Sequence, residues 1–251
     1  MISRRVRLIS SIAAGVLAGG YLLLSAAFYF LQDEIVYQPT HRATWEELTP
    51  WLVDGHLYGY SRGPALPKAV WLIMQGNAGQ AGARGYFKRV RPDESLYILE
   101  YPGYGRRTGS PNRESINAAT VAAYRELCRR FPAIPVGVVG ESFGSGPAAS
   151  LAQETRPPDS IVLIVPVARF DAVLNRLVPV VPVRLLLRDN WDNVASLHDY
   201  RGPLTIYAAE KDAVIPREQT LLLAASVPQA RLNWLSGGHT DPGENGVTLA
   251  R

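Results

Sequence analysis

The chain has 251 residues, 47% of them hydrophobic and 19% charged, which excludes a disordered or low-complexity polypeptide and leaves material for one large domain or two small ones. Its 26 Lys+Arg against 22 Asp+Glu give a net charge of +4, a balance that invites a nucleic-acid or membrane partner. Arg4, Arg5 and Arg7 account for three of those four charges, and residues 32–251 carry 23 bases against 22 acids, so no nucleic-acid-binding domain is expected.

Leu8 to Leu31 is a run of 24 residues without a charge. A bilayer core of roughly 30 Å needs about 20 such residues, and the run has no polar face that would suit a soluble helix. Three arginines before it and Asp33-Glu34 after it predict a signal anchor over residues 1–31, with the N-terminus inside and residues 32–251 on the non-cytoplasmic (periplasmic or extracytoplasmic) side. The competing reading is a signal peptide cleaved near Ala27 after the small residues Ser25-Ala26-Ala27, which would leave a secreted domain. The run exceeds the 7–15 residues usual for a signal h-region, which favours the retained anchor. Gly15 and Gly19 have the spacing of a helix-dimer face, a signal too weak to fix an oligomeric state.

Asp33–Pro67 holds Trp45 and Trp51 and a short alternating stretch at His56–Tyr60 that predicts an edge hairpin. A recurrent unit follows. Short apolar runs at Ala69–Met74, Leu96–Glu100, Val136–Val139, Ile161–Val165, Leu204–Ala208 and Arg231–Leu235 alternate with helix-like segments at Gly82–Val90, Ser115–Arg130, Phe143–Gln153 and Arg217–Ser226. This is the pattern of βαβ units and a mostly parallel sheet with helices on both faces, an α/β domain. Cys128, the single cysteine, falls on the apolar stripe of one helix, where it reads as a small core residue; alone it excludes an intramolecular disulfide or a cysteine-based metal site. Residues 166–203 interrupt the rhythm. Such an excursion lies beside the carboxyl ends of the strands, and is either a small cap or an ordinary helix with irregular loops.

Gly140-Glu141-Ser142-Phe143-Gly144 follows an apolar run and opens a helix, the context in which G-x-S-x-G forms a nucleophile elbow. The turn is sharp and strained, so positions two before and two after the serine must lack side chains. A serine hydroxyl needs a base, and the chain order of such folds is Ser, Asp/Glu, His. Of His41, His56, His198 and His239, only His239, after the last strand, fits that order. Asp212, in the loop after Leu204–Ala208, is the predicted acid, with Glu210 as the alternative and Asp192 and Asp241 as weaker rivals. An oxyanion hole needs the N–H of Phe143 and a second donor from an earlier loop, for which the Asn77 main chain fits, with the Gln75 amide as a helper. The glycine spacings around Gly76–Gly85 and at Gly103 and Gly105 read as loop turns, because they lack the remaining features of a phosphate or dinucleotide loop.

Gln75-Gly-Asn-Ala-Gly79, Glu100-Tyr-Pro-Gly-Tyr-Gly105 with Gly109-Ser-Pro111, Gly140–Gly144, Lys211–Pro216 and Gly238-His239 occur in one order over residues 34–240. In this the chain resembles the alpha/beta-hydrolase superfamily, and within it the small, minimally capped group that includes membrane-anchored acyl-protein depalmitoylases. The resemblance implies a serine hydrolase of acyl esters or thioesters that needs no metal or organic cofactor and acts on a small-molecule or acylated substrate. An aminopeptidase-like amide hydrolase and a non-catalytic membrane-anchored scaffold are the alternatives. Gln75 stands where the group usually has histidine, and Ala209 where glycine is common. With Pro242-Gly243 in the 12 residues after His239, no full final helix is expected.

Overall fold

The computed structural model describes residues 4–44, 47–83, 90–240, 247 and 249. Its strands are β1 (Thr49–Val53), β2 (His56–Arg62), β3 (Val70–Met74), β4 (Ser95–Leu99), β5 (Val136–Glu141), β6 (Ser160–Ile164), β7 (Leu204–Ala209) and β8 (Arg231–Leu235). They form one sheet in the order β1-β2-β4-β3-β5-β6-β7-β8, with β1 and β2 antiparallel and β4 onward parallel. The six apolar runs of the sequence are the six parallel strands, and β3, β4 and β6 are buried throughout. Alternate residues enter two separate cores: Leu72, Val138 and Leu163 pack on one face, Trp71, Val139 and Val162 on the other.

The hairpin is longer than the alternating stretch suggested. β1 precedes it and is joined to β2 by Asp54-Gly55, both at positive φ, the dipeptide chemistry of a tight hairpin turn. Pro50 is tolerated because β1 lies at the sheet edge.

The helices are α1 (Arg4–Val36), α2 (Arg113–Arg130), α3 (Ser145–Ser150), α4 (Phe170–Leu177), α5 (Val183–Leu186), α6 (Asn193–Leu197) and α7 (Arg217–Ser226). α2 starts two residues before the predicted Ser115, where Asn112 and Ser115 close a reciprocal capping box. The helix expected over Phe143–Gln153 is a 3-10 turn, α3 and a second 3-10 turn in succession. The helix expected over Gly82–Val90 lies largely outside the described residues, where only a 3-10 turn at Ala81–Ala83 is seen; Trp45, Asp241 and Pro242-Gly243 lie outside them as well. Cys128 is half-buried against the main core.

α1 does not stop at Leu31 with the charge-free run. It continues to Val36 because Phe28, Gln32 and Val36, spaced four apart, are buried against the domain. The preceding turns carry Leu17, Leu22 and Leu23 out to their surroundings. The interval 166–203 contains α4, α5 and α6. Asp171, buried at the start of α4, is held by Arg169 and Arg184, each at 3.2 Å.

Leu163, at the centre of the sheet, has no exposed surface. Leu163→Ala is expected to lower stability by about 2–5 kcal/mol through lost burial and the cavity left behind. Thermal unfolding of the full chain in detergent checks this, as a fall in Tm of roughly 5–15 °C for a domain of this size.

Candidate functional site

β5 ends at Glu141 and the chain turns at once into the 3-10 turn Ser142–Gly144. Ser142 has φ 51°, a left-handed conformation costly for a residue with a side chain. The turn closes because Gly140 and Gly144 leave room. A Cβ on Gly144 would overlap the main-chain oxygen of Met74 at the end of β3, and one on Gly140 would lie 2.6 Å from the Ala148 Cβ. Ser145 holds the turn from behind. Its hydroxyl donates to the Ser142 carbonyl at 2.5 Å and accepts from Asn193 Nδ2 at 3.1 Å and from the Val167 amide at 3.3 Å. Neither Ser145 nor Asn193 stood out in the sequence, since a buried hydroxyl and amide have no spacing that marks them.

The structure brings the three predicted residues together. Ser142 Oγ lies 2.8 Å from His239 Nε2, and His239 Nδ1 lies 2.9 Å from Asp212 Oδ2. Asp212 Oδ1 accepts from the Val214 and Ile215 amides at 2.8 and 2.7 Å, so the carboxylate is fixed by its own loop after β7. The alternative acids are elsewhere: Glu210 is exposed and Asp192 caps α6 through the Ala195 amide. In this arrangement the imidazole can accept a proton from the hydroxyl on one side while the carboxylate orients it on the other.

Ser142, His239, Gly76, Asn77 and Phe143 share one cavity of about 390 Å³, within the range of small-molecule sites. Its remaining wall is largely apolar, from Val167, Phe170, Val173, Leu174 and Leu177 after β6, Val214 and Ile215, and Ile35 and Val36 of α1. Phe143 sits in the first turn after the elbow, where an amide has no acceptor within its own turn.

The side chains of Asn77, whose main chain was the expected donor, and of Gln75, the expected helper, both have partners of their own. Asn77 donates from Nδ2 to the carbonyl of Val36 at 2.5 Å, and its Oδ1 accepts from Tyr104 Oη at 2.9 Å and the Gln38 amide at 3.1 Å. The end of α1 is thereby tied to this loop. Gln75 does not line the cavity; it is buried, and its Nε2 donates to Glu100 Oε1 at 3.3 Å. Glu100 also accepts from the Ala81 amide at 2.8 Å, and Tyr101 Oη donates to the Gln75 carbonyl at 2.8 Å. The carboxylate at the end of β4 thus clamps the loop from Gln75 to Ala81. Its signal in the sequence was an acid ending an otherwise apolar run. Burial pushes the Glu100 carboxyl up to about 7, against the donors from Ala81 and Gln75, which lower it. Among the described residues no group of three or more His, Cys, Asp or Glu side chains is placed to hold a metal ion.

No family model matches the chain. An uncharacterized protein of Mycobacterium tuberculosis, Rv2307c, is 29% identical over 186 residues, which are 72% of this chain and 64% of that protein, slightly less than two thirds of its length. The alpha/beta hydrolase domain-containing protein WAV2 of Arabidopsis thaliana is 21% identical over 257 residues, covering 88% of this chain and 80% of its own. Among solved structures, the Pyrococcus furiosus esterase Pf2001 superposes with a TM-score of 0.64 at 14% identity, covering 80% of this chain and 90% of that one. The fold, with its order of strands and elbow, is that of the alpha/beta hydrolases. The chain is similar to alpha/beta hydrolase domain-containing proteins, as the resemblance in its motifs implied.

Because the Glu100 carboxyl is raised in the folded state, folding takes up a proton there between the ordinary glutamate range and about pH 7. Its contribution to stability is complete below that range and lost as pH rises through about 7. Glu100→Gln keeps an acceptor for the Ala81 amide without the charge. Relative to the parent chain, the variant is expected to gain stability as pH is raised from 5 to 8 in paired thermal melts; a difference flat in pH would contradict the assignment.

Proposed function

We propose that the chain is a membrane-anchored serine hydrolase that cleaves acyl esters or thioesters through Ser142, His239 and Asp212. The observation that carries this reading is the unbroken pair of hydrogen bonds, 2.8 and 2.9 Å, from the elbow hydroxyl through the imidazole to a carboxylate, opening on an apolar cavity. His239 takes the Ser142 proton as Oγ attacks the carbonyl carbon, and returns it to the leaving alcohol or thiol as the acyl bond breaks. Water then attacks the acyl-serine, again with His239 as base, and releases the carboxylic acid. Asp212 stays ionised and stabilises the imidazolium. The main-chain N–H groups of Phe143 and Asn77 form the oxyanion hole, and the Asn77 side chain and Glu100 position their loop.

The apolar cavity wall supports an acyl group as the part of the substrate held by the enzyme. Residues 1–31 serve as the anchor and 32–251 as the hydrolase domain, with 166–203 as a small cap over the cavity; α1 is long and apolar enough to cross a membrane. The arginines before it and the acids after it support placing the domain on the non-cytoplasmic side.

An active-site fluorophosphonate is expected to label the parent chain and not Ser142→Ala, and His239→Ala is expected to lose labelling as well. With methylumbelliferyl butyrate as substrate, kcat of either variant should fall by about 10⁴-fold or more. Labelling that survives Ser142→Ala would place the nucleophile elsewhere.

A further inference from the structure

We propose that the bilayer crossed by α1 also covers the outer face of α4–α5, and that the cavity is loaded from it with an ester whose acyl chain resides in the leaflet; this rests on the hydrolase reading above. The first observation is where the domain grips α1. From Leu8 to Phe28, the first buried residue of the helix, is a stretch of roughly 30 Å, the thickness of a bilayer core. The hydrolase body therefore begins at the membrane surface with no linker. Val36, in the cavity wall, is only about 12 Å further along the helix.

The second observation is what stands beside α1 at that level. α5 packs on it: Gln32 Nε2 donates to the Leu186 carbonyl at 3.2 Å, Gln32 Oε1 accepts from the Arg188 amide at 2.8 Å, and Arg188 pairs with Asp33 at 2.7 Å. The Arg188 guanidinium also lies over the Tyr29 ring. On this same cap segment Leu185 is 84% exposed and Val180 and Leu177 are 62% exposed. Arg184 and Arg188 flank Leu185 with much of their side chains in the open. Bare leucine and valine between arginines, next to a ring at the end of a membrane helix, is the chemistry of an interfacial surface: apolar side chains in the acyl region, guanidinium groups at the phosphates.

The third observation joins this surface to the site. Leu177 and Ile35 belong both to the cavity wall and to the exposed surface. The rim on the α1 side is thus apolar, and a chain leaving the leaflet need not cross water to reach Ser142. α1 acts as both tether and wall.

The test uses the full chain in phosphatidylcholine vesicles. Nitroxide labels are placed on Val180→Cys and Leu185→Cys in a Cys128→Ala background, with Leu66→Cys, 93% exposed in the loop before β3 at the opposite end of the sheet, as the aqueous control. Labels at 180 and 185 are expected to be reached by oxygen and shielded from an aqueous nickel chelate, and the label at 66 the reverse. Equal nickel access at all three positions would overturn the surface whatever the chain hydrolyses. In the second arm, Val180→Ser/Leu185→Ser is expected to cleave dissolved methylumbelliferyl butyrate at the parent rate and vesicle-embedded methylumbelliferyl oleate about tenfold or more slowly. An unchanged ratio between the two substrates would overturn the loading route. Absence of Ser142-dependent cleavage of the butyrate would count against the hydrolase reading instead, and the labels would still decide the surface.

Discussion

The close approach of two backbones at the carboxyl end of the sheet sets the geometry of everything above it. Gly144 lies against the main-chain oxygen of Met74, closer than any side chain allows, so the elbow after β5 is pressed onto the end of β3. That one contact lifts Ser142 clear of the sheet and brings Phe143 next to the loop that follows β3. The left-handed backbone at Ser142 costs on the order of 1–3 kcal/mol. Buried hydrogen bonds from Ser145, which reach Asn193 on α6 and Val167 after β6, hold it in place. The strained turn at Ser142 is thus supported by segments distant in sequence, the interval 166–203 among them.

The loop after β3 is held by the same principle with different chemistry. Its glycines leave it few side chains of its own, and its shape is imposed from outside by Glu100, Tyr101 and Tyr104. A carboxylate buried at the end of β4 is costly to keep charged, which is why its protonation is tied to pH near neutrality. Gln75 is the partner that the buried carboxylate needs, and its amide keeps the same contact whether Glu100 is ionised or neutral.

The parallel strands were legible in the sequence because burial on both faces writes them as unbroken apolar runs, and the meeting of Ser142, Asp212 and His239 was legible because loop position and chain order constrain them. β1 was not, because Thr49–Val53 carries a proline and alternates weakly at an edge where one face meets solvent. The Asp54-Gly55 turn was the available signal. Asn77 and Gln75 lie in the loop after β3 as expected, but the direction of a side chain in an irregular loop depends on partners such as Val36 and Glu100 that only the fold brings near. The end of α1 lies beyond the charge-free run for a related reason. Loss of apolar character marks where a helix leaves lipid, whereas the helix itself ends where its packing ends.

The bond from Asn77 to the Val36 carbonyl divides α1 into two parts under unlike constraints. Before Phe28 the helix touches little of the domain, so residues can be added or removed there without moving the loop that Asn77 belongs to. Between Phe28 and Val36 a single inserted residue would rotate the helix by about 100° and advance it by about 1.5 Å. Gln32 would then face away from Leu186, and Asn77 would lose its carbonyl. The last turns of α1 are in this sense a fixed gauge block, and these nine residues set how the helix stands against the domain.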